Sequence, residues 1–196
     1  MTAHVLGAAE SGASLRETVS QWRRGVPLAK KLGLGEAVHG VNEVQIRDRA
    51  GLSPAALTRR WDLAVPRATR GRRRFPKPLR RIPIKFPPPL GRRPLAYLMD
   101  LVYTRDVWMH RVDIGRATGR EPVLTAEHDG RLIADMVADW ATTHGHDFHL
   151  ELEGAAGGAF VQGRGGEVVR LDAVEWVWIV SGRGTGAGLL TKELPL

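Results

Sequence analysis

The sequence predicts an α+β fold, with a helical bundle first and a small α+β module after it. Up to about residue 144, apolar residues recur at the three- and four-residue spacing of amphipathic helices. From residue 146 onward, "DFHLELEG" alternates apolar and polar residues, which is typical of a half-buried strand. We therefore expect two domains, at residues 1–145 and 146–196. The second is small and is expected to pack on the first.

Local start and stop signals predict five helices, at residues 2–24, 41–49, 54–72, 94–118 and 126–144. Ser53 followed by Pro54 is a favourable N-cap and first-turn pair, although Pro66 inside that helix predicts a kink or an early stop. Thr125 is the expected N-cap of the last helix. Gly119 and Gly145 are the expected C-terminal stops of the last two helices.

The C-terminal module is predicted from four segments in turn. "DFHLELEG" is a strand, and "GGAFVQGRGGEVVRL" is a hairpin pair around Gly163 to Gly166. "DAVEWVWIVSGRG" is a short helix with Asp172 as its N-cap. "AGLLTKELPL" is expected to form a terminal strand.

The basic residues are concentrated in one segment. The chain carries a net charge of +8, but residues 66–94 hold 11 Lys or Arg and no acidic residue. The rest of the chain then has 18 basic and 21 acidic residues, so the basicity belongs to one region. Because Pro87–Pro89 cannot be helical, we expect the part from Arg72 to Pro94 to be an extended connector within the bundle domain.

Several classes of protein are excluded or disfavoured by composition. The chain has no cysteine, so it has no disulfide, thiolate ligand or cysteine nucleophile, and thiol chemistry would need an external thiol. No apolar run approaches the ~20 residues that span a bilayer. "MTAHVLGAAESGAS" lacks the pattern of a signal peptide. A cytoplasmic protein is the expectation.

The candidate site is in "TRDVWMHRVDIGRATGR". Asp106 and His110 are four residues apart, so on a helix they lie one turn apart on the same face. A carboxylate and an imidazole so placed can bind one divalent cation at about 2.0–2.2 Å if another element supplies a third ligand. A salt bridge without metal is the alternative. Asp113 is expected to be a partner of these groups, or of Arg111 or Arg116, and not a ligand.

The other histidines give weaker indications of a metal site. "HGHDFH" contains three histidines in six residues, but His144 and His146 flank a glycine that ends a helix, and His149 is on the polar side of a strand. This spacing does not place their side chains on one face as metal binding requires. His4 could equally be an unliganded residue at a frayed terminus.

Three segments resemble the mycothiol-dependent maleylpyruvate isomerase family: "AHVLGAAES", "YTRDVWMHRVDIGRATGR" and "VRLDAVEWVWIVSGRGTGAGLLTKELPL". The resemblance implies a DinB-like four-helix bundle followed by a C-terminal domain of the sterol-carrier-protein type. Only three residues precede His4, so we expect either that the start of the sequence is wrongly placed or that the first helix of that bundle is missing. The family usually has Glu where this chain has Asp106.

The resemblance also implies a function. His4, Asp106 and His110 would hold a divalent metal, usually zinc, whose open position receives the thiolate of mycothiol. In the isomerase, thiolate addition to a double bond, rotation and elimination convert a maleylpyruvate-like substrate to its trans isomer; related proteins are expected to transfer the thiol to electrophiles. Arg183 is the expected catalytic arginine that holds the substrate carboxylates.

The alternative function is a non-catalytic binding protein. Its basic Arg/Pro segment would contact an anionic partner such as nucleic acid phosphates or an anionic membrane. Sequence-specific recognition of nucleic acid is disfavoured, because proline is expected to prevent a helix that could enter a groove. Metal content is the observation that separates the enzyme from the binding protein.

Overall fold

The computed structural model describes residues 2–86 and 90–194, which leaves Pro87–Pro89 of the connector outside the described residues. The chain divides into two compact units, Met1–Ile82 and Pro83–Leu196. Together they confirm the α+β class, with helices first and a small sheet near the C-terminus. The domain boundary at residue 145 stays a prediction, since units defined by contacts need not coincide with the domains of a family.

In residues 2–82, the part of the first unit that the structure describes, there are five helices: α1 (Thr2–Ala13), α2 (Leu15–Leu32), α3 (Ala37–Arg47), α4 (Pro54–Arg74) and α5 (Lys77–Arg80). The single helix predicted at residues 2–24 is therefore wrong, because the chain breaks at Ser14. Ser14 has extended dihedral angles, and its side chain accepts a hydrogen bond from the Glu17 backbone N–H. Ser followed by Glu three residues later is the sequence pattern of a helix start.

Glycine lets the helices of the first unit approach closely. A Cβ added at Gly40 of α3 would lie 2.1 Å from the Gly25 carbonyl oxygen of α2. A Cβ at Gly71 of α4 would lie 3.2 Å from the carbonyl oxygen of Gly12 on α1. Since these neighbours are backbone atoms, a side chain at Gly40 would force the two helices apart.

The basic segment differs from its prediction. Helix α4 continues through Pro66 to Arg74, and α5 follows after two residues. Pro66 is exposed, so its ring points away from the packed side of the helix. Beyond Ile82, the short strands β1 (Pro83–Lys85) and β2 (Arg92–Pro94) pair in antiparallel fashion. The expectation of an extended connector from Arg72 to Pro94 was therefore wrong for residues 72–74 and for Lys77–Arg80, which are helical, whereas β1 and β2 are extended.

The second unit continues with helices and a three-stranded sheet. Its remaining elements are α6 (Leu95–Tyr97), a π-helical segment (Leu98–Val102), α7 (Tyr103–Thr118), a π-helical turn (Ala126–Gly130), α8 (Arg131–His144), β3 (Phe148–Glu153), β4 (Gly158–Gln162), β5 (Glu167–Asp172), α9 (Ala173–Val180) and a 3₁₀ turn (Gly188–Thr191). The predicted caps Thr125 and Asp172 and the stops Gly119 and Gly145 are confirmed. The terminal strand was wrong, because that segment forms the 3₁₀ turn.

The sheet order is β4–β3–β5, so the expected hairpin between β4 and β5 was also wrong. β4 pairs with β3 in antiparallel register, and β5 pairs with the other edge of β3 in parallel register. The segment 163–166 crosses the start of β3. There the backbone N–H of Arg164 donates to the Asp147 carboxylate at 3.1 Å. A Cβ at Gly166 would lie 2.0 Å from the Asp147 carbonyl oxygen, so only glycine fits this crossing.

One hydrophobic core joins α7, α8, α9 and the inner face of the sheet. Trp140 and Trp176 lie at its centre, both fully buried, with ring centroids 5.6 Å apart. Phe148, Leu150 and Leu152 of β3 are buried, as the alternating pattern predicted. No described helix is both long enough and apolar enough to span a membrane.

Arg105 and Asp129 are the centres of two of the buried polar networks in the described part of the second unit. Arg105 of α7, 1% exposed, donates to the Asp139 carboxylate at 2.7 Å and to the Asp135 carbonyl oxygen at 2.8 Å. The Tyr97 hydroxyl donates to the same Asp139 carboxylate at 2.8 Å. Burial, followed by this hydrogen bond to an anionic acceptor, raises the pKa of Tyr97 to about 12. The tyrosine therefore stays protonated and acts as a donor.

Asp129 forms the second network. Its carboxylate accepts hydrogen bonds from the Trp108 indole at 2.8 Å and the Thr125 backbone N–H at 2.7 Å, and it pairs with Arg111. Burial alone would raise the pKa of this carboxyl, but the three donors outweigh burial and hold the pKa well below its usual range. The network joins α7 to the first turn of the helix that leads into α8.

We expect Asp129→Asn to lower the free energy of unfolding by about 3 kcal/mol near pH 7, because it leaves donors facing a neutral amide. The folded-state pKa is depressed, so the stabilisation is fully present above about pH 4, the unfolded-state value, and is lost as the pH falls through the folded-state value. Denaturant unfolding as a function of pH measures this. The exposed Asp62→Asn is the control, and an equal effect of both variants would contradict the prediction.

Candidate metal centre

Asp106 and His110 lie one turn apart on α7, on the same side of the helix. The His110 Nε2 atom is 3.4 Å from an Asp106 carboxylate oxygen. Their side chains are 15% exposed for His110 and 25% exposed for Asp106, so solvent reaches both only in part. The structure thus brings these two predicted site residues together within a single helix.

Asp113, three residues beyond His110, determines which way the imidazole ring faces. Its carboxylate lies 3.0 Å from His110 Nδ1. A carboxylate accepts, so Nδ1 carries a proton and donates it. In the neutral ring Nε2 is then the nitrogen with the lone pair, and that nitrogen faces Asp106. The prediction that Asp113 serves as a partner of the pair agrees with this geometry, although its arginine partner is neither Arg111 nor Arg116.

The arginine that reaches Asp113 is Arg183, which follows α9. Its Nε donates to Asp113 Oδ1 at 3.1 Å, while its Nη2 is 3.5 Å from Oδ2. The turn that carries it is fixed by the Arg183 backbone N–H, which donates to the Trp178 carbonyl oxygen at 3.1 Å. Arg183 is therefore linked through one carboxylate to the ring of His110.

His4 lies in the first unit, on α1, in a helical segment and partly buried. Its Nδ1 atom is 2.7 Å from Gln45 Oε1 on α3. Gln45 Nε2 donates to Gln21 Oε1 on α2 at 2.7 Å, and Gln21 Nε2 donates to the Gly7 carbonyl oxygen at 3.0 Å. Gln21 and Gln45 are 0% and 4% exposed. Four groups from three helices thus form one chain of hydrogen bonds.

The direction of this glutamine relay (His4–Gln45–Gln21–Gly7) follows from its last member. A backbone carbonyl can only accept, so Gln21 must present its amide nitrogen to Gly7 and its oxygen to Gln45. Gln45 must then present its oxygen to His4, which donates from Nδ1. His4 and His110 therefore have the same tautomer when neutral, with the lone pair on Nε2. Orientation of a ring by its other nitrogen is typical of histidines that bind metals.

Sequence reasoning missed the two glutamines of the relay. They lie on helices whose registers were not established, and a buried glutamine has no spacing signature. The available indication was Gly7, because a Cβ there would lie 2.5 Å from Gln45. A glycine inside a helix indicates a close approach of another element.

The other histidine cluster has a different arrangement. His144 and His146 stack with their rings 5.6 Å apart, and the His146 backbone N–H donates to His144 Nδ1 at 3.0 Å. His144 also packs edge-on against Trp140, with the ring centroids 4.3 Å apart. Burial, with smaller contributions from nearby cationic groups, lowers the pKa of His144. The rings of His144 and His146 thus take part in packing and hydrogen bonding at the junction between α8 and β3.

A pocket of about 490 Å³ opens beside the C-terminal half of α7. It is lined by Val112, Gly115 and Arg116 of α7, by the turn after Gly119, and by the start of α9. Arg116 pairs with Glu175 at 2.6 Å and lies over the Trp178 ring at 4.1 Å. The volume is in the range of small-molecule sites, and the pocket shares α7 with Asp106 and His110.

Comparison with curated protein sequences finds no match, and comparison with solved structures finds none either. A family model, the mycothiol maleylpyruvate isomerase N-terminal domain, matches residues 1–115. The match covers more than half of the chain and includes both α1, with His4, and the part of α7 that carries Asp106, His110 and Asp113. The chain therefore belongs to the mycothiol maleylpyruvate isomerase N-terminal domain family.

Proposed function

We propose that the chain is a metal-dependent enzyme that uses a low-molecular-weight thiol, mycothiol, on a small-molecule substrate. His4, Asp106 and His110 would hold one divalent cation, with zinc as the metal. The substrate class is a maleylpyruvate-like unsaturated acid that is isomerised, or an electrophile that receives the thiol. Membership of a family named for such an enzyme supports this reaction class.

The observation that carries the proposal is the orientation of the two imidazoles. In each unit a histidine donates its Nδ1 proton to an oxygen acceptor and keeps Nε2 for another partner. At His110 that nitrogen faces a carboxylate oxygen at 3.4 Å. Two neutral imidazole nitrogens and one carboxylate form a donor set that suits zinc and leaves a coordination position for a further ligand.

A bound zinc ion would lower the pKa of a coordinated thiol and so supply a thiolate at neutral pH. Side chains of the protein would orient the metal ligands before the cation binds. Asp113 and the glutamine relay hold the rings in one orientation, so that little ordering remains to be done when the ligands engage.

Arg183 would bind the substrate carboxylate. Asp113 engages its Nε and one Nη atom, which leaves further N–H groups of the guanidinium to donate. A planar guanidinium fixed on one edge offers two parallel donors to a carboxylate on another edge. The same Asp113 would then orient both the ligand ring and the substrate-binding group.

Metal content is the first test. Protein purified without added metal should contain about one zinc per chain, and His4→Ala, Asp106→Ala and His110→Ala should each lower this content because three ligands are the minimum for a tight site. Inductively coupled plasma mass spectrometry measures it. The exposed His39→Ala is the matched control, and Asp106→Glu should retain the metal.

A protonated His110 held between Asp106 and Asp113 would give the opposite result. Such a salt bridge needs no cation, so the wild type would contain no stoichiometric zinc and addition of zinc would not alter the protein. Metal-free wild-type protein that also fails to bind added zinc would therefore contradict the proposed centre.

The glutamine relay gives a second test. Gln45→Met removes the acceptor for His4 at similar volume, and we expect zinc affinity to fall about 10- to 100-fold, as when other orienting partners of metal-binding histidines are lost. Competition with a chromogenic chelator measures the dissociation constant. Gln45→Glu keeps an acceptor for His4 and should retain most of the affinity. Gln162→Met, a glutamine of β4, controls for the substitution itself; equal affinities in all variants would contradict a role for the relay.

Arg183 can be tested separately from the metal. Arg183→Met should lower kcat/KM for maleylpyruvate with mycothiol about 30-fold, equivalent to about 2 kcal/mol, through a raised KM, while zinc content stays unchanged. The exposed Arg164→Met is the control. An unchanged kcat/KM would remove Arg183 from the substrate site. A loss of zinc would instead show that Arg183 acts through Asp113 on the ligand ring.

A further inference from the structure

Helix α4 carries five arginines on one face. Because α4 is continuous from Pro54 to Arg74, positions along it are separated by about 100° per residue. On that spacing five arginines fall within a strip roughly 120° wide: Arg59, Arg67, Arg70, Arg73 and Arg74. At 1.5 Å per residue the strip is about 22 Å long. We call these five residues the arginine face.

Packing inside the first unit fixes the direction in which the arginine face points. The opposite side of α4 packs along α1, with Ala64 6% exposed and Gly71 in contact with Gly12. Leu57, Trp61 and Ala68 belong to this packed side and are only partly exposed. All five members of the arginine face are exposed. The cations are therefore held outward by a rigid element.

The arginine face has no acidic partner among the residues that the structure describes. An ion pair described in α4 joins Arg60, outside the strip, to Glu10 at 2.6 Å. Between Arg59 and Arg81 the sequence has one acidic residue, Asp62. Exposed Lys77 and Arg81, in and just after α5, add two further cations beyond the end of α4. An exposed, uncompensated basic strip of this size attracts polyanions.

We propose that the arginine face binds the phosphate backbone of a nucleic-acid duplex without reading its sequence. B-DNA has one phosphate per 3.4 Å on each strand, so a row of about 22 Å runs beside several successive phosphates. Guanidinium groups bind phosphate oxygens through paired N–H donors. Trp61, the tryptophan of α4, is on the packed side, so the arginine face offers no aromatic platform for stacking unpaired bases.

An anionic membrane fits this face less well. Helices that lie in a bilayer surface place a row of apolar side chains into the lipid. In α4, all of which the structure describes, Leu63 is the one large apolar side chain on the arginine face, and it is 62% exposed. The side of the helix that packs on α1 holds Leu57, Trp61 and Ala68. The face therefore supplies charge without an inserting surface, which favours phosphates in solution over lipid.

The experiment is a salt titration of binding to a short fluorescein-labelled DNA duplex of mixed sequence, followed by anisotropy. Wild type should bind in the range of non-specific proteins, about 1–100 μM at physiological salt, with a linear log–log dependence on salt. Each phosphate contact contributes about 0.9 to the slope, so combining Arg67→Gln, Arg70→Gln and Arg74→Gln should reduce the slope by about 2.7.

Two further variants complete the design. Arg23→Gln, Lys30→Gln and Lys31→Gln together remove the same charge from exposed positions of α2 and should reduce the slope by much less. Replacing Arg67, Arg70 and Arg74 by lysine keeps the charge and should retain most of the slope. Circular dichroism and zinc content, unchanged in all variants, separate this surface from the proposed metal centre.

Three results would overturn the proposal: no duplex binding by the wild type, equal loss of slope in the α2 and α4 glutamine variants, or binding to phosphatidylserine vesicles at salt concentrations that abolish binding to the duplex. The first would make the arginine face a solvated surface. The second would reduce the effect to net charge. The third would assign the face to a lipid surface.

Discussion

The hydrogen bond from Gln21 to the Gly7 carbonyl oxygen sets the direction of every other bond in the glutamine relay. A carbonyl oxygen cannot donate, so the amide of Gln21, the amide of Gln45 and the ring of His4 each have one allowed orientation. Asp113 imposes the same constraint on His110 with a single carboxylate. The proposed metal centre depends on this shared chemistry, in which each ring gives its Nδ1 proton to an oxygen and presents Nε2. Buried amides suit the task in the first unit, because they orient a ring without adding charge to a small core.

Much of the second unit could be predicted from the sequence because its signals are local. Thr125 and Asp172 cap helices through side-chain bonds to residues two or three positions away, and Gly119 and Gly145 end helices with left-handed dihedral angles. Asp106 and His110 could be paired from a spacing of four residues alone. The glutamine relay could not, because its hydrogen bonds join residues that are 14 to 41 positions apart and meet only through packing.

Two of the wrong predictions share a physical origin: tertiary contacts overrode local preferences. Pro66 made an early stop one of two predicted outcomes, yet α4 continues to Arg74, because α1 packs along its other side and the proline ring is exposed. The short loop between β4 and β5 indicated a hairpin, yet both strands pair with β3. Ser14 is different, since Ser followed by Glu three residues on is itself a helix-start pattern. A run of helix-forming residues on both sides obscured that pattern.

The crossing of residues 163–166 over Asp147 bears on how relatives of this chain should be compared. A substituent at Gly166 would collide with main-chain atoms of Asp147 and Phe148, which cannot rotate away. Substitutions of Gly166 would therefore be selected against for steric reasons, whichever small molecule each homologue binds. Invariance of a glycine-rich stretch is often taken as the mark of a phosphate cradle. In this chain, an invariant Gly166 would reflect only the topology of the three-stranded sheet. Residues that determine differences in ligand preference should be sought around α7 instead.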